Sequence, residues 1–439
     1  MENVNYYLSG VILPIVLFLA SVFFFIRLKG APLTKISTLT KRMLKKKKGG
    51  DTSPLRAVIF ALAGTLGVGN IVGVASAIAL GGAGAVFWMW VSALFAMILK
   101  YSEVVLAVKH RRIRDNEGYG GAMYYMSDLF ASMGTPLLGK IFTGIFVLLC
   151  LLNGFTMGGM IQSNSVAEAF EDTIGVPRIF IACIILVILC IVFFSNGKRI
   201  FAFCEKLVPF VSVVYTVLCL SVIINSHHQI SKIVMRIFKD AFSTEAVGGG
   251  AVGFIASRAL RYGTIRGLFS NEAGCGTAPM AHATSNTKSP CEQGLLGIFE
   301  VFVDTILVCT MTAFVILING KDINTSQPIL TVLQSFEITF GEISGILLTV
   351  SLFLFALATI ICWGCYGKEC VYFISKSSGL RKIYFIAYTV CVSLGCCVSS
   401  DAVWQAADLA IGLMTPMNLI TLLFMSDEIV LETKRYFKK

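Results

Sequence analysis

The sequence predicts an all-α integral membrane protein with about eleven transmembrane helices. Hydrophobic residues make up 56% of the 439 residues and charged residues only 14%, whereas soluble proteins average about 25% charged residues. Apolar stretches long enough to cross the hydrocarbon layer also recur along the whole chain. A chain with so little polar surface is not a water-soluble globular protein.

The first predicted span covers residues 8–26. No positively charged segment precedes it and no small-residue cleavage site follows it, so we expect an uncleaved anchor rather than a signal peptide. Residues 229–240 place apolar side chains on one face at helical spacing, which predicts a helix in the membrane interface. The other ten predicted spans are apolar stretches at residues 55–80, 84–108, 138–162, 178–195, 200–225, 246–265, 293–319, 343–366, 383–399 and 403–425.

The distribution of positive charge predicts the orientation. Of the 36 Lys and Arg residues, 30 lie in alternate connections that face the cytoplasm if the N-terminus is outside. This bias predicts an outside N-terminus and a cytoplasmic C-terminus in a plasma membrane of the bacterial type. The net charge of +11 and the lysine run at 45–48 then reflect cytoplasmic loops near anionic lipid, and we expect no nucleic-acid partner.

The second span is interrupted by Gly64, Gly67, Gly69 and Asn70. One explanation is close helix packing, since Gly69 and Gly73 form a face of small residues. The other is a discontinuous helix, because glycine weakens helices and exposed backbone at membrane depth persists only where it lines a cavity.

A second interruption at 248–253 in the seventh span favours the discontinuous helix. Counted from the second span, the two interrupted helices are the first and sixth of ten, in two halves of opposite orientation. Such paired interruptions indicate the midplane binding site of a secondary transporter. We therefore expect five-helix repeats at 54–240 and 241–425, an extra N-terminal helix and basic loop at 1–53, and a cytoplasmic tail at 426–439.

The polarity of the broken second helix predicts what it binds. The half-helix that starts near Val68 directs its positive end at the break, so the N–H groups of Val68, Gly69 and Asn70 suit a carboxylate. The preceding half-helix ends in carbonyl groups near residues 63–66, which suit Na⁺. A carboxylate and a cation held together are what cotransport of an amino acid requires.

Several sequence blocks resemble the alanine or glycine:cation symporter family, and the likeness covers nearly the whole chain. The resemblance implies a LeuT-type fold of two inverted five-helix repeats and import of small neutral amino acids with Na⁺ or H⁺. The blocks are GVGNIVGVA at 67–75, GGAGAVFWMW at 81–90, RGLFSNEAG at 266–274 with Ala278, Pro279 and His282, DTILVCTMT at 304–312, and the stretch from Trp404-Gln405 to Asn418-Leu419.

The resemblance also implies roles for particular residues. Asn70 resembles the polar residue at the substrate carboxylate, and Gln162 the substrate-contacting Gln. Thr359 and Trp363 are four apart and so share a helix face, where Trp363 is expected to limit the pocket to a methyl group or hydrogen. The remaining substrate-binding positions are expected in the break itself, at Thr65, Gly67, Val68 and Gly69.

By analogy with the wider LeuT-type fold, the Na⁺ site is expected to use carbonyls of Ala63 and Leu66 and the Thr359 hydroxyl. Thr277 stands where the family has a common Ser, which leaves the proposed pocket untouched. No cofactor other than the coupling ion is expected, and the protein is expected to work as a monomer in the lipid bilayer.

Ionisable residues within spans are candidates for function. Glu272 is expected in an inner gate with Arg266 and the neighbouring Asn271. Asp304 and Asp408 lie deeper and suit either a proton or cation path or structural hydrogen bonding. For the pair Lys100 and Glu103, near the cytoplasmic end of the third span, we expect an ion pair with each other or extension to the membrane interface.

Other classes of function lack support in the sequence. An intramembrane enzyme requires a nucleophile–base set or a metal cluster, and the four His residues show no metal-ligand spacing. No phosphate-binding loop for ATP is present, and a channel favours a short filter over paired broken helices. A transporter of the same fold that uses H⁺ or accepts other amino acids remains open.

Overall fold

The computed structural model describes residues 5, 7–34, 53–114, 117–194, 198–242, 258–319 and 328–438. These residues are almost entirely helical. The helices in chain order are α1 (Leu8–Arg27), α2 (Pro54–Thr65), α3 (Val72–Gly81), α4 (Gly84–Lys109), α5 (Ala122–Ser132), α6 (Pro136–Ile174), α7 (Arg178–Phe194), α8 (Lys198–Asn225), α9 (Ile230–Ala241), α10 (Arg258–Asn271), α11 (Pro279–Ala283), α12 (Pro290–Asn319), α13 (Pro328–Phe340), α14 (Glu342–Ile374), α15 (Ser378–Gly395), α16 (Ser400–Phe424) and α17 (Ser426–Lys438).

A short hairpin connects α4 and α5. Its strands β1 (Arg112–Arg114) and β2 (Glu117–Tyr119) pair antiparallel with Ile113 opposite Gly118. A one-turn helix at Ala31–Thr34 follows α1, and a turn at His227–Gln229 precedes α9.

Seven of the described helices are long and apolar enough to cross a membrane, and a bent pair raises the count to eight. The seven are α1, α4, α6, α8, α12, α14 and α16. Among the remaining predicted spans, 178–195 corresponds to α7 and 383–399 falls largely in α15, while most of 246–265 lies outside the described residues. The total of eleven spans stays a prediction.

The bent pair is the predicted interruption of the second span. Ser53 caps α2, since its side chain accepts a hydrogen bond from the Arg56 N–H, and Pro54 occupies the first turn. The chain leaves the helix after Thr65, and α3 continues at an angle of 66°. The interruption is confirmed in the second span, whereas its predicted counterpart at 248–253 lies outside the described residues.

Close helix packing explains only one of the two glycines that form the face of small residues. A Cβ atom added at Gly73 would meet nothing within 4 Å, so no neighbouring helix needs a glycine there. At Gly69 an added Cβ would lie 3.2 Å from the Phe269 ring, which is a tight contact. The explanation by small-residue packing therefore fails at one of its two positions.

The predicted interface helix at 229–240 corresponds to α9. Ile233 and Ile237 are buried, while Met235 and Phe238 are exposed. The Phe238 ring nevertheless lies 5.3 Å from the Phe87 ring of α4, measured between centroids. The helix has the two-sided character that its sequence predicts.

The C-terminal helix α17 is anchored to the end of α4. Nδ1 of His110 lies 2.8 Å from Asp128 and Nε2 lies 3.0 Å from Glu428. Burial lowers the pKa of His110, but the hydrogen bonds to the two carboxylates outweigh it and raise the pKa above its ordinary value. The hydrogen bond from His110 lowers the pKa of Glu428 to about 2.

Candidate functional site

Two backbone N–H groups in the break between α2 and α3 donate hydrogen bonds to side-chain oxygens. The Gly67 N–H donates to Oδ1 of Asn70 at 3.0 Å, and the Val68 N–H donates to Oε1 of Gln162 at 2.9 Å. Gln162 lies on α6, where its Nε2 donates to the Met157 carbonyl at 3.1 Å. The structure therefore brings Gln162 to the N–H group at which the sequence predicts a carboxylate.

Gly67 is required at the centre of the break for reasons of space. Its φ of −143° is open to any residue, but an added Cβ would lie 2.6 Å from Oγ1 of Thr359 and 2.7 Å from Oε1 of Gln162. Both distances are shorter than real Cβ contacts. The two side chains lie directly over the glycine backbone, so the structure brings the predicted positions 67, 162 and 359 together.

The carbonyl side of the break meets Thr359. Its hydroxyl donates to the Leu66 carbonyl at 3.2 Å, which places two of the predicted Na⁺ ligands together. Ala63 is fully buried on the same turn. Thr65 directs its hydroxyl back to the Ala61 carbonyl of its own helix at 3.4 Å, so its side chain does not line the break in this conformation.

Asn70 connects the break to α10 and α12. Its Nδ2 donates to Oδ1 of Asp304 at 2.7 Å and to Oγ of Ser270 at 2.9 Å, while Thr312 donates to its backbone carbonyl. Oδ2 of Asp304 accepts from Ser270 at 2.6 Å and from Thr305 at 2.8 Å. Asp304, a residue with an open role in the sequence, thus lies at the break.

Trp363 lies one turn from Thr359 on α14 and is buried against α6. An added Cβ at Gly158 would overlap the Trp363 side chain, 2.2 Å from Cγ, so glycine is needed for the close approach. Gly158 belongs to a widened helical turn at Thr156–Met160, which is common at functional sites. The adjacent glycines 158 and 159 in an apolar span are the feature of the sequence that indicates such a close approach.

The expected gate has different partners in this conformation. Among the described residues, Arg266 pairs with Asp408 at 4.0 Å and lies 4.5 Å above the Trp404 ring, rather than with Glu272. Glu272 accepts from Nε1 of Trp363 at 3.1 Å. Asn271 has one local and one distant contact, since its Oδ1 accepts from the Ala273 N–H at 3.0 Å and its Nδ2 donates to Oγ1 of Thr305 on α12 at 3.2 Å.

Glu272 adopts an unusual backbone conformation and makes a second contact. Its φ is +53°, a region where residues other than glycine are strained and which clusters at functional sites. Its Oε2 accepts from the Thr277 hydroxyl at 2.7 Å. The contact of Glu272 with Trp363, the expected pocket wall, joins residues 91 apart in the chain, and no local sequence pattern predicts it.

A buried ionic cluster adjoins Glu272. Nζ of Lys100 lies 3.4 Å from Oε1 of Glu300, and Nε2 of His282 lies 2.7 Å from Oε2 of the same carboxylate. Lys100 and Glu103 are fully buried, so neither extends to the interface, and the ion-pair partner of Lys100 is Glu300 rather than Glu103.

Glu103 instead accepts hydrogen bonds from the loop that follows α10. Its two oxygens accept from the N–H groups of Gly274 at 3.0 Å and Gly276 at 2.8 Å. Nδ2 of Asn418 on α16 donates to it at 2.6 Å. The carboxylate therefore joins α4, this loop and α16.

The chain is similar in sequence to known transporters over most of its length. The sequence profile of the sodium:alanine symporter family matches residues 1–439. The sodium/alanine symporter AgcS of Methanococcus maripaludis is 37% identical over 394 residues, which cover 88% of this chain and 84% of that protein. An uncharacterised transporter of Haemophilus influenzae is 38% identical over 403 residues, covering 90% and 87%.

Solved structures share the fold at low sequence identity. A substrate-bound, outward-open Na⁺-coupled sialic acid symporter superposes with a TM-score of 0.58 at 13% identity, covering 92% of this chain and 85% of that one. MhsT in complex with L-phenylalanine gives a TM-score of 0.56 at 15% identity, covering 86% and 90%. The fold is that of LeuT-type transporters.

Proposed function

Because the chain belongs to the sodium:alanine symporter family, we propose that it imports alanine or glycine together with Na⁺ by alternating access. The substrate binds at the break between α2 and α3. The orientation is N-terminus outside and C-terminus cytoplasmic in a bacterial-type plasma membrane, and the two repeats at 54–240 and 241–425 move relative to each other in a monomer.

The contact of Gln162 with the Val68 N–H carries this proposal. An amide oxygen of Gln162 accepts the hydrogen bond at 2.9 Å, where a substrate carboxylate is expected. A carboxylate is a stronger hydrogen-bond acceptor than a neutral amide. The substrate carboxylate therefore replaces Oε1 of Gln162 as the acceptor of the Val68 N–H, and Nε2 of Gln162 donates to the carboxylate. The N–H groups of Gly67, Val68 and Gly69 then hold the substrate, together with Asn70.

The coupling cation binds on the other side of the break. Carbonyls of Ala63 and Leu66 and the hydroxyl of Thr359 supply its ligands, because hard cations prefer oxygen. The hydrogen bond of 3.2 Å between Thr359 and Leu66 supports this assignment, since it shows that both oxygens reach the same point. Substrate and cation share the break, which couples their binding.

Trp363 forms the wall of the side-chain pocket in this proposal. Its ring is fixed between Gly158 and Glu272, so it leaves little room beyond a small side chain. Arg266 and Asp408 form part of a gate, in which the Trp404 ring packs against Arg266 and Phe269. Asn271 and Glu272 order the loop behind it.

The test is uptake of radiolabelled alanine into proteoliposomes, with an inward Na⁺ gradient or an inward H⁺ gradient imposed separately. We expect saturable uptake that needs the Na⁺ gradient, and glycine should compete with alanine. Absence of alanine and glycine uptake under both gradients would refute the substrate. Labelling of the N-terminus from the cytoplasmic side would refute the orientation.

An alternative with the same fold couples to H⁺. Asp304 favours it, because a fully buried carboxylate lies 2.7 Å from Asn70 at the break and intramembrane carboxylates commonly carry protons. Uptake driven by H⁺ alone, and lost in Asp304→Asn, would select this alternative over Na⁺ coupling.

A further inference from the structure

The ionic cluster next to the site contains more negative than positive groups. It comprises three carboxylates, one ammonium group and one imidazole, none more than 2% exposed: Glu103, Glu272, Glu300, Lys100 and His282. With every carboxylate ionised and the imidazole neutral, the net charge is negative by two. An uncompensated charge at this depth is strongly unfavourable, so the cluster must take up positive charge.

The hydrogen-bond partners of the three carboxylates differ in whether they can accept as well as donate. Glu103 accepts from two backbone N–H groups and from the amide of Asn418. These partners can only donate, so both oxygens of Glu103 act as acceptors and none of its partners can accept a hydrogen bond from it. Glu300 accepts from the ammonium group of Lys100, which also can only donate.

The second hydrogen bond of Glu300 is with the imidazole of His282. Nε2 of Gln293 lies 2.9 Å from Nδ1 of His282. An amide nitrogen donates, so Nδ1 accepts and the ring hydrogen is on Nε2, where it donates to Glu300. Glu300 therefore accepts from both Lys100 and His282 in this arrangement.

Glu272 differs from both because one of its partners can accept a hydrogen bond. Oε1 accepts from Nε1 of Trp363, which can only donate, but Oε2 faces the hydroxyl of Thr277 at 2.7 Å. A hydroxyl is both donor and acceptor. The pair can reverse, so that a protonated Glu272 donates to Oγ1 of Thr277.

We propose that this cluster is a proton-binding site in which Glu272, paired with Thr277, binds and releases a proton during the transport cycle. The ligand is a proton rather than Na⁺, because N–H donors surround Glu103 and Glu300 and leave no converging set of oxygens within the part of the chain that the structure describes. The proton comes from hydronium, which leaves as water. The inference rests on the proposed function only in that the cycle is one of amino-acid transport.

The proton affects the substrate site through Trp363. An ionised Glu272 holds the indole N–H by a charge-assisted bond, which is stronger than a bond to a neutral carboxyl group. Protonation therefore loosens Trp363, the expected wall of the pocket. Other titratable groups also face Glu272, namely Lys100, Glu300, Cys275, Cys362 and Tyr366.

The first experiment needs no substrate. The intrinsic fluorescence of the purified protein is titrated between pH 5 and 9 in wild type, Glu272→Gln and Trp363→Phe. We expect a change of emission in wild type that both variants lose, although all the other facing groups are retained. Identical titrations in wild type and Glu272→Gln would overturn the proposal, whatever the transported substrate is.

The second experiment follows protons during transport. Proteoliposomes that contain a pH-sensitive dye receive alanine while the membrane potential is clamped with K⁺ and valinomycin. We expect an alanine-driven pH change that falls at least about tenfold in Glu272→Gln but not in Glu171→Gln, which removes a carboxylate of an exposed ion pair. Uptake of alanine with no proton movement in wild type would refute the inference and leave the proposed function standing.

Thr277 separates proton binding from a structural role. Thr277→Ser keeps a hydroxyl next to Glu272, whereas Thr277→Val keeps the shape and removes it. We expect the pH profile of uptake to be shifted in Thr277→Val and unchanged in Thr277→Ser. An equal loss of uptake in both variants without a shift of the profile would contradict the role of the hydroxyl.

Discussion

The side-chain amide of Asn70 donates a hydrogen bond of 2.7 Å to the carboxylate of Asp304. The same amide accepts from the Gly67 N–H through its oxygen. Asn70 thereby ties the break in the second span to the middle of α12. A residue expected at the substrate carboxylate also sets the shape of the break.

Replacing Asn70 with Ala should abolish alanine binding while membrane insertion stays intact. The change removes a partner from the Gly67 N–H and from the buried Asp304, and each unsatisfied group costs about 1–3 kcal/mol. Binding of radiolabelled alanine to purified protein measures the effect, and gel filtration checks folding. Alanine affinity equal to that of wild type would contradict the role of Asn70.

Gly67→Ala should reduce uptake about tenfold or more, because overpacking of this kind costs about 1–3 kcal/mol. The new methyl group would overlap both Thr359 and Gln162. Gly73→Ala is the matched control, since its methyl group meets nothing within 4 Å. If the two variants transport alanine equally well, the tight closure over Gly67 is irrelevant to transport.

The Thr359 hydroxyl is tested with two substitutions that separate chemistry from shape. In Thr359→Val the concentration of Na⁺ for half-maximal uptake should rise about tenfold, equivalent to about 1.4 kcal/mol. Thr359→Ser keeps the oxygen and should stay close to wild type. A normal Na⁺ dependence in the Val variant would remove Thr359 from the cation site.

Trp363→Ala should admit larger substrates. Loss of the ring enlarges the pocket, and one or more extra methylene groups change selectivity about tenfold or more. Competition of leucine and methionine against alanine uptake measures this, with Trp88→Ala as a control near the packed rings of Phe87 and Phe242. Unchanged competition by leucine in Trp363→Ala would exclude it as the pocket wall.

The anchoring of α17 should depend on pH through His110. Its pKa is raised in the folded protein, so its contribution is complete below about 6.5 and is lost as the pH rises through the raised value. The pKa of Glu428 is lowered to about 2, so its contribution to stability is lost only in more acidic solution. Thermal unfolding of His110→Gln should differ from wild type by about 1 kcal/mol at pH 6 and converge with it at high pH, whereas a constant difference would contradict this.

Local features of the sequence were sufficient to predict the helical membrane architecture and the break. Apolar stretches of the required length identify the spans, because hydrocarbon excludes unpaired backbone groups. The density of glycine around Gly67 identifies the interruption, because glycine weakens a helix where it stands. The same reasoning failed for Lys100, whose neighbour at 103 lies one turn away on the same helix, while its ion-pair partner at 300 belongs to another helix.

The sequence by itself therefore determined the class of protein, the break and the residue types that suit a carboxylate and a cation. Only the tertiary structure decided which side chains meet there. Gln162 and Val68 are 94 residues apart, Glu272 and Trp363 are 91 apart, and Asn70 and Asp304 are 234 apart. Contacts over such separations depend on how helices pack against one another, and the periodicity of a single helix carries no information about its partner.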